Sequence, residues 1–240
     1  MNIIPLKSYS FSKRVRNIKE IKLVIIHYTG MQSMRASIKR LLSTKHKVSC
    51  HYLISRAGKI FQMVQDNKVA WHAGKSKWGK LENLNNNSIG IELVNNGHKF
   101  GYQKFSARQI NALVKLCIKL KKKYKIKNRF ILGHSDIAPL RKSDPGEKFP
   151  WLKLKKRNIG IWYSLNKKNS LFKKLSEKNA RKIFFKNLHK IGYRYFNKDK
   201  FSKTDKLIIK SFQRRFRQEK VNGKIDLECL KISDNLVKNH

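Results

Sequence analysis

Acidic residues are scarce in this chain, with 14 Asp and Glu against 57 Lys and Arg in 240 residues and a formal net charge of +43. On charge alone that balance predicts a polyanionic partner, with nucleic acid the default. The basic residues are nevertheless spread along the whole chain. They form no arm and no stretch where they interleave with aromatics, so most of the charge reads as solvated surface and nucleic acid is not the expected partner. Cysteine is nearly absent. Cys50, Cys117 and Cys229 are odd in number and far apart, with no CxxC pair, which excludes a disulfide framework and fits a reducing compartment. Four prolines and 12 glycines are too few for long disordered linkers. No apolar run approaches transmembrane length. Residues 1–20 carry basic side chains but no apolar segment and no small-residue cleavage site, so no secretory signal is expected. The chain also lacks a glycine-rich phosphate loop, a serine nucleophile elbow and a Cys/His pair in motif context.

The hydrophobic fraction, 40%, suffices for a real core, and the length suits one full domain with one small one. Residues 22–27 read as a strand and 33–43 as a short helix with Ile38, Leu41 and Leu42 on one side. Residues 51–55 and 59–64 flank Gly58 as a hairpin, and 88–93 form another strand. Ser106 and Gln109 match a capping box, opening a helix with Ile110, Leu113, Val114, Cys117 and Leu120 at helical spacing. A strand over 129–132 follows. Hairpin and crossover relations together predict an α/β fold, a central mixed sheet flanked by helices.

Three side chains suggest chemistry. His27 ends one apolar strand, His134 follows another, and Asp144 lies in a Pro/Gly turn. Two imidazoles and a carboxylate at strand ends suit a catalytic zinc, which takes three protein ligands and keeps a fourth position open. The same residues equally suit a capping histidine after a strand and an aspartate that simply forms a turn. Glu92 stands among apolar neighbours, and an exposed edge position would account for it as well.

Five strings occur in order: Ile26-His27-Tyr28-Thr29, His51-Tyr52-Leu53-Ile54, Ala70-Trp71-His72-Ala73-Gly74, Ser88-Ile89-Gly90-Ile91-Glu92-Leu93, and the stretch 133–146 that begins Gly133-His134-Ser135-Asp136. Together they resemble the zinc-dependent N-acetylmuramoyl-L-alanine amidases of the type 2 amidase family, the 1,6-anhydro-muramyl enzymes among them, over roughly residues 20–155. The resemblance implies Zn2+ held by His27, His134 and Asp144, Glu92 as general base and Lys142 at the oxyanion. It implies hydrolysis of the amide between N-acetylmuramic acid and L-alanine in peptidoglycan or muropeptides, for wall degradation, remodelling or recycling. Trp71 and His72 would contact substrate, although both also suit structural roles. His51, within a strand, is read as a core residue or a support behind the site. A bacterial wall polymer is then as good an anionic partner as nucleic acid.

After Trp151 the pattern thins into a basic connector. Ala180, Phe184, Leu188 and Ile191 then form a helical stripe closed by Gly192, Ile208, Phe212 and Phe216 a second, and Asp226 can cap a third helix. The string Ser211-Phe212-Gln213 to Arg217, with Val221-Asn222-Gly223 to Asp226, resembles the three-helix peptidoglycan-binding domain found beside wall hydrolases. The division expected is a catalytic domain over 1–155, a connector over 156–172 and a small helical domain over 173–240, removable without unfolding the first or docked so as to shape its cleft. The missing signal favours the bacterial cytoplasm and the wall-binding unit the envelope. A non-catalytic recognition protein of the same fold would lack a zinc ligand, and all three are here. A nucleic-acid binder would gather its basic and aromatic residues on one surface, which this chain does not do.

Overall fold

A computed structural model describes residues 1–165, 175–197 and 199–239. Its elements are β1 (Ile3–Pro5), β2 (Phe11–Val15), β3 (Leu23–Tyr28), α1 (Met34–Leu42), β4 (Tyr52–Ile54), β5 (Ile60–Gln62), β6 (Lys68–Ala70), β7 (Lys77–Trp78), β8 (Leu81–Glu82) and β9 (Ser88–Leu93). There follow α2 (Ala107–Tyr124), β10 (Ile131–Gly133), α3 (His134–Ile137), α4 (Trp151–Lys155), α5 (Glu177–Ile191), α6 (Asp205–Phe216) and α7 (Leu227–Asn239). Six strands form the main sheet in the order β1-β5-β4-β9-β3-β10. Only the β4–β5 hairpin is antiparallel, so the sheet is mixed, as the sequence predicts.

The β3 run is apolar at every position from Leu23 to Ile26, the pattern of a strand buried on both faces. Successive side chains point to opposite faces. Val24 and Ile26 pack in one layer with Ile110, Leu113, Leu116 and Leu120 of α2 and with Trp151 and Leu154 of α4. Leu23 and Ile25 pack in the other with Phe184, Leu188, Ile208, Phe212 and Phe216. Helices α5, α6 and α7 therefore cover the second face of the sheet, and each large side chain buried there contributes roughly 1.5–3 kcal/mol. Helices α5, α6 and α7 share one core with β3, β10 and α3, since Phe184, Leu188, Ile208, Phe212 and Phe216 belong to the same buried cluster as Leu23, Ile25, Leu132 and Ile137. Part of the expected connector, residues 166–172, lies outside the described residues.

Local rules account for most element ends. Ser33 and Ser106 cap α1 and α2 by accepting from Ala36 N–H and Gln109 N–H. The capping box is only half made. The Gln109 amide is buried and donates to Ile54 O (3.0 Å) and Val94 O (3.2 Å), tying α2 to the sheet. Residues 128–130 form a 3-10 turn, so β10 begins later than the apolar pattern suggests. Asp226 caps α7 through Cys229 N–H (3.1 Å). All three cysteines are free and buried. Among the described residues no helix is long and apolar enough to cross a membrane.

One shared core should melt once. Calorimetry should give a single cooperative transition, and Phe212→Ala should lower stability by about 3–5 kcal/mol, the cost of truncating a buried aromatic. Two transitions, with only one moved by the substitution, would instead mean that the helices fold on their own.

Candidate metal centre and active site

Sheet parity and register assemble the site. β3 and β9 run parallel, with His27 opposite Glu92. In β9, Ile89, Ile91 and Leu93 enter the α2 layer, so Glu92 projects from the opposite face, as His27 does on the Leu23–Ile25 side of β3. β10 lies beside β3 and delivers His134 just past its last residue. The turn at 144–146 then folds back so that Ser135 N–H donates to Asp144 O (2.8 Å). The close approach requires Gly133, where a Cβ would lie 2.6 Å from Pro145 Cδ.

The result brings His27, His134 and Asp144 together, all buried. His27 Nδ1 lies 2.9 Å from His134 Nδ1, and each lies 3.1 Å from Asp144 Oδ2. The edge of a tetrahedral zinc site with N and O ligands is roughly 3.3 Å, so this triangle fits one face of such a site. Among the described residues no other group of His, Cys, Asp or Glu could hold a metal. Burial, and secondarily the His134 ring, lowers the His27 imidazole to about 4, so it is neutral and fit to ligate. Burial alone would raise the Asp144 carboxyl, but the neighbouring imidazoles outweigh it and hold it well below the usual range.

Hydrogen bonds behind the imidazoles fix which nitrogens are bare. His27 Nε2 meets His72 Nδ1 at 3.0 Å, His72 Nε2 meets Ser88 Oγ at 3.2 Å, and Ser88 Oγ donates to Leu84 O at 2.5 Å. Since the Ser88 hydroxyl donates onward, it accepts from His72 Nε2–H. His72 Nδ1 then accepts from His27 Nε2–H, which leaves the His27 Nδ1 lone pair facing the centre. His134 Nε2 lies 3.2 Å from Ala73 O, which can only accept, so its Nδ1 is bare as well. Arg141 holds the same loop by donating to Ala73 O and Lys75 O.

Of the two roles open to His72, substrate contact or structural support, the hydrogen bonds favour support. Its ring is buried behind His27 with both nitrogens engaged, and burial pushes its pKa far below the ordinary value. It rests against β9 at Gly90, where a Cβ would stand 2.3 Å from the His72 ring. His51 is also a support: Gly90 N–H donates to its Nδ1 (3.0 Å), and its Nε2 faces Lys68 O (3.1 Å). Trp71 is partly exposed, its N–H donating to Ser49 Oγ. Lys142 is half-buried, close enough for its charge to act on both His27 and Glu92.

Glu92 is the other anomaly. It is 9% exposed, and its Oε2 has no hydrogen-bond partner. Burial, with the Asp144 charge second and Lys142 opposing, raises it to about 8. An unpartnered buried carboxyl oxygen beside three convergent donors marks where a proton can be taken and returned. Sequence patterns did not disclose Ser88 or Arg141, whose roles depend on sheet register and loop packing. At the rim, Tyr28 OH meets His98 Nδ1 (2.7 Å), His98 Nε2 meets Glu147 (3.1 Å), and Arg214 of α6 stands 3.8 Å from Glu147.

A family model described as N-acetylmuramoyl-L-alanine amidase matches residues 17–147. The N-acetylmuramoyl-L-alanine amidase AmiD of Escherichia coli is 34% identical over 235 residues, covering 92% of this chain and 83% of that protein. The 1,6-anhydro-N-acetylmuramyl-L-alanine amidase AmpD of Haemophilus influenzae is 35% identical over 164 residues, 61% of this chain and 86% of that one. The solved complex of the E. coli AmiD with anhydro-N-acetylmuramic acid-L-Ala-D-gamma-Glu-L-Lys superposes with a TM-score of 0.82 and 31% identity, over 95% of this chain and 92% of that one. AmpDh3 of Pseudomonas aeruginosa with anhydromuramic pentapeptide gives 0.79 and 29%, over 96% of each.

The Glu92 shift has a thermodynamic consequence in metal-free protein. An unfolded chain releases this proton near 4.5 and the folded one near 8, so the folded state binds more protons between those values. Stability from this group is complete below about pH 4.5 and is lost as pH rises toward 8. The difference in melting temperature between wild type and Glu92→Gln should therefore move in the variant's favour across that window. A pH-independent difference would mean that Glu92 keeps an ordinary pKa.

Proposed function

The chain belongs to the N-acetylmuramoyl-L-alanine amidase family, and on that premise we propose that it works with zinc held by His27, His134 and Asp144, Glu92 as general base and Lys142 at the oxyanion. It is an amidase, a hydrolase of the bond between N-acetylmuramic acid, or its anhydro form, and L-alanine in peptidoglycan or muropeptides. The observation that carries the assignment of roles is the buried triangle of two bare imidazole nitrogens and one carboxylate beside the unpartnered Oε2 of Glu92.

Zinc in that triangle would supply a Lewis acid that polarises the scissile carbonyl and acidifies a water. The residues do the rest. His72 and Ala73 O keep both imidazoles in the tautomer with Nδ1 free, and Asp144 offsets part of the cationic charge. Glu92 Oε2 takes the proton from the attacking water and returns it to the alanine nitrogen as the C–N bond breaks. The Lys142 ammonium faces the oxygen that gains charge in between. Trp71, partly exposed on the neighbouring loop, offers a flat apolar surface to sugar or peptide.

Soluble anhydro-muropeptides are the substrate form we favour, on the strength of the ligands named in the two superposed complexes. Free, buried thiols support a reducing compartment, the bacterial cytoplasm, as the place of action. We assign the chemistry to residues 1–155 and contact with wall polymer to 173–240. Arg214 beside the rim residue Glu147 supports a further part for that segment in shaping the cleft.

Metal analysis should find one zinc per chain, lost in Asp144→Ala. Stoichiometric zinc surviving in variants of all three ligands would overturn the assignment. Glu92→Gln should keep zinc and fold but lose about 10²–10⁴-fold in turnover, and Lys142→Ala roughly 10²–10³-fold. Mass spectrometry of products from intact sacculi and from soluble anhydro-muropeptides, run side by side, should show faster release of peptide from the soluble substrate. Preference for sacculi would reverse the substrate reading.

A further inference from the structure

Four hydrogen bonds leave the C-terminal segment for one short stretch of the sheet layer. Tyr193 OH donates to Asp136 Oδ1 (2.7 Å), and Arg215 Nη1 donates to Asp136 Oδ2 (2.5 Å). Arg215 Nη2 donates to Ile131 O (3.0 Å), and Ser211 Oγ donates to Ser135 O (2.7 Å). All four acceptors lie within residues 131–136, the stretch that carries His134. Asp136 in turn accepts from Gly133 N–H (2.8 Å), and Ser135 N–H donates to Asp144 O (2.8 Å).

We propose that Tyr193, Ser211 and Arg215 are positioning residues for the metal centre, clamping from the C-terminal segment the turn that presents His134 and, through Ser135, the backbone of Asp144. The inference rests on the reading that His27, His134 and Asp144 hold zinc. α3 is a helix of four residues, too short to be stable on its own hydrogen bonds, so its orientation must be imposed from outside. His27 differs, because it belongs to β3 and its backbone is paired with Glu92 of β9 within the sheet. The Arg215–Asp136 pair is buried at both ends, and the guanidinium also stacks 4.3 Å from the Trp151 ring centre. A desolvated pair is weak evidence of added stability, but its directional bonds hold a geometry.

The test uses the full chain. Removing Arg215 would leave the Asp136 charge buried and uncompensated, which risks misfolding, so the informative variants remove single hydroxyls: Tyr193→Phe, Ser211→Ala and the pair together. Zinc release to a chelator should accelerate and affinity should weaken about 10–100-fold in the double variant, the usual effect of losing partners behind metal ligands. The visible spectrum of the cobalt-substituted protein should shift, and amide exchange over 131–137 should quicken in the metal-free protein. Ser211→Thr should restore binding relative to Ser211→Ala. Arg217→Gln provides the control, since Arg217 pairs with Asp226 and Glu228 inside the helical segment and should leave zinc affinity unchanged. The clamp is overturned if the hydroxyl variants hold zinc as tightly as the unaltered protein, or if Arg217→Gln weakens it equally. If the double variant does not fold, the same reading is taken from the single ones. If the unaltered protein binds no zinc, the metal reading itself has failed and this inference goes with it.

Discussion

The in-register parallel pairing of β3 with β9 is the constraint on which the site depends. It sets His27 opposite Glu92 on one face of the sheet, with β10 and His134 alongside. A slip of one residue would turn Glu92 into the α2 layer and put Ile91 or Leu93 in its place. The apolar runs on both sides of the sheet therefore do more than fill a core. By making any other register costly, they hold a proton acceptor and two imidazoles together without a flexible loop between them.

A buried cluster of this kind carries a cost that its surroundings meet. Three imidazoles, two carboxyls and an ammonium lie close together, and burial alone would neutralise the acids. Asp144 is kept ionised by two imidazoles, while Glu92, with an orphaned oxygen, is not. Two carboxyls gathered beside the same histidines are thus driven apart in proton affinity, one to be a permanent anion and the other to exchange protons.

Sequence pattern alone reached the strands over 22–27 and 88–93, the long helix behind Ser106, and the three helical stripes near the end of the chain. Pattern alone left His27, His134, Asp144 and Glu92 open to structural readings, because a histidine after an apolar run, an aspartate in a Pro/Gly turn and a glutamate in a strand each have a non-catalytic use; the family resemblance singled them out. Pattern missed β1, β2, β6, β7 and β8, which are five residues or fewer, lie in short or edge pairings, and carry no periodic signal. The role of His72 stayed open between substrate contact and support, because a histidine in a loop motif does not say which of its nitrogens meets what. Ser88 and the bonds from Tyr193, Ser211 and Arg215 were invisible for a different reason. They join positions 16 to 84 residues apart, and only tertiary packing brings those together.

Gly90 shows how a site can depend on a residue that contributes no functional group. A methyl there would occupy the space of the His72 ring, which orients His27, which faces the centre. Replacement by even the smallest side chain would act through two intervening imidazoles. The position is thus a blank that tolerates no filling, and an inventory of reactive side chains would pass over it. For anyone redesigning this centre, the first boundary is set by the volume left empty on β9, ahead of the identity of any donor.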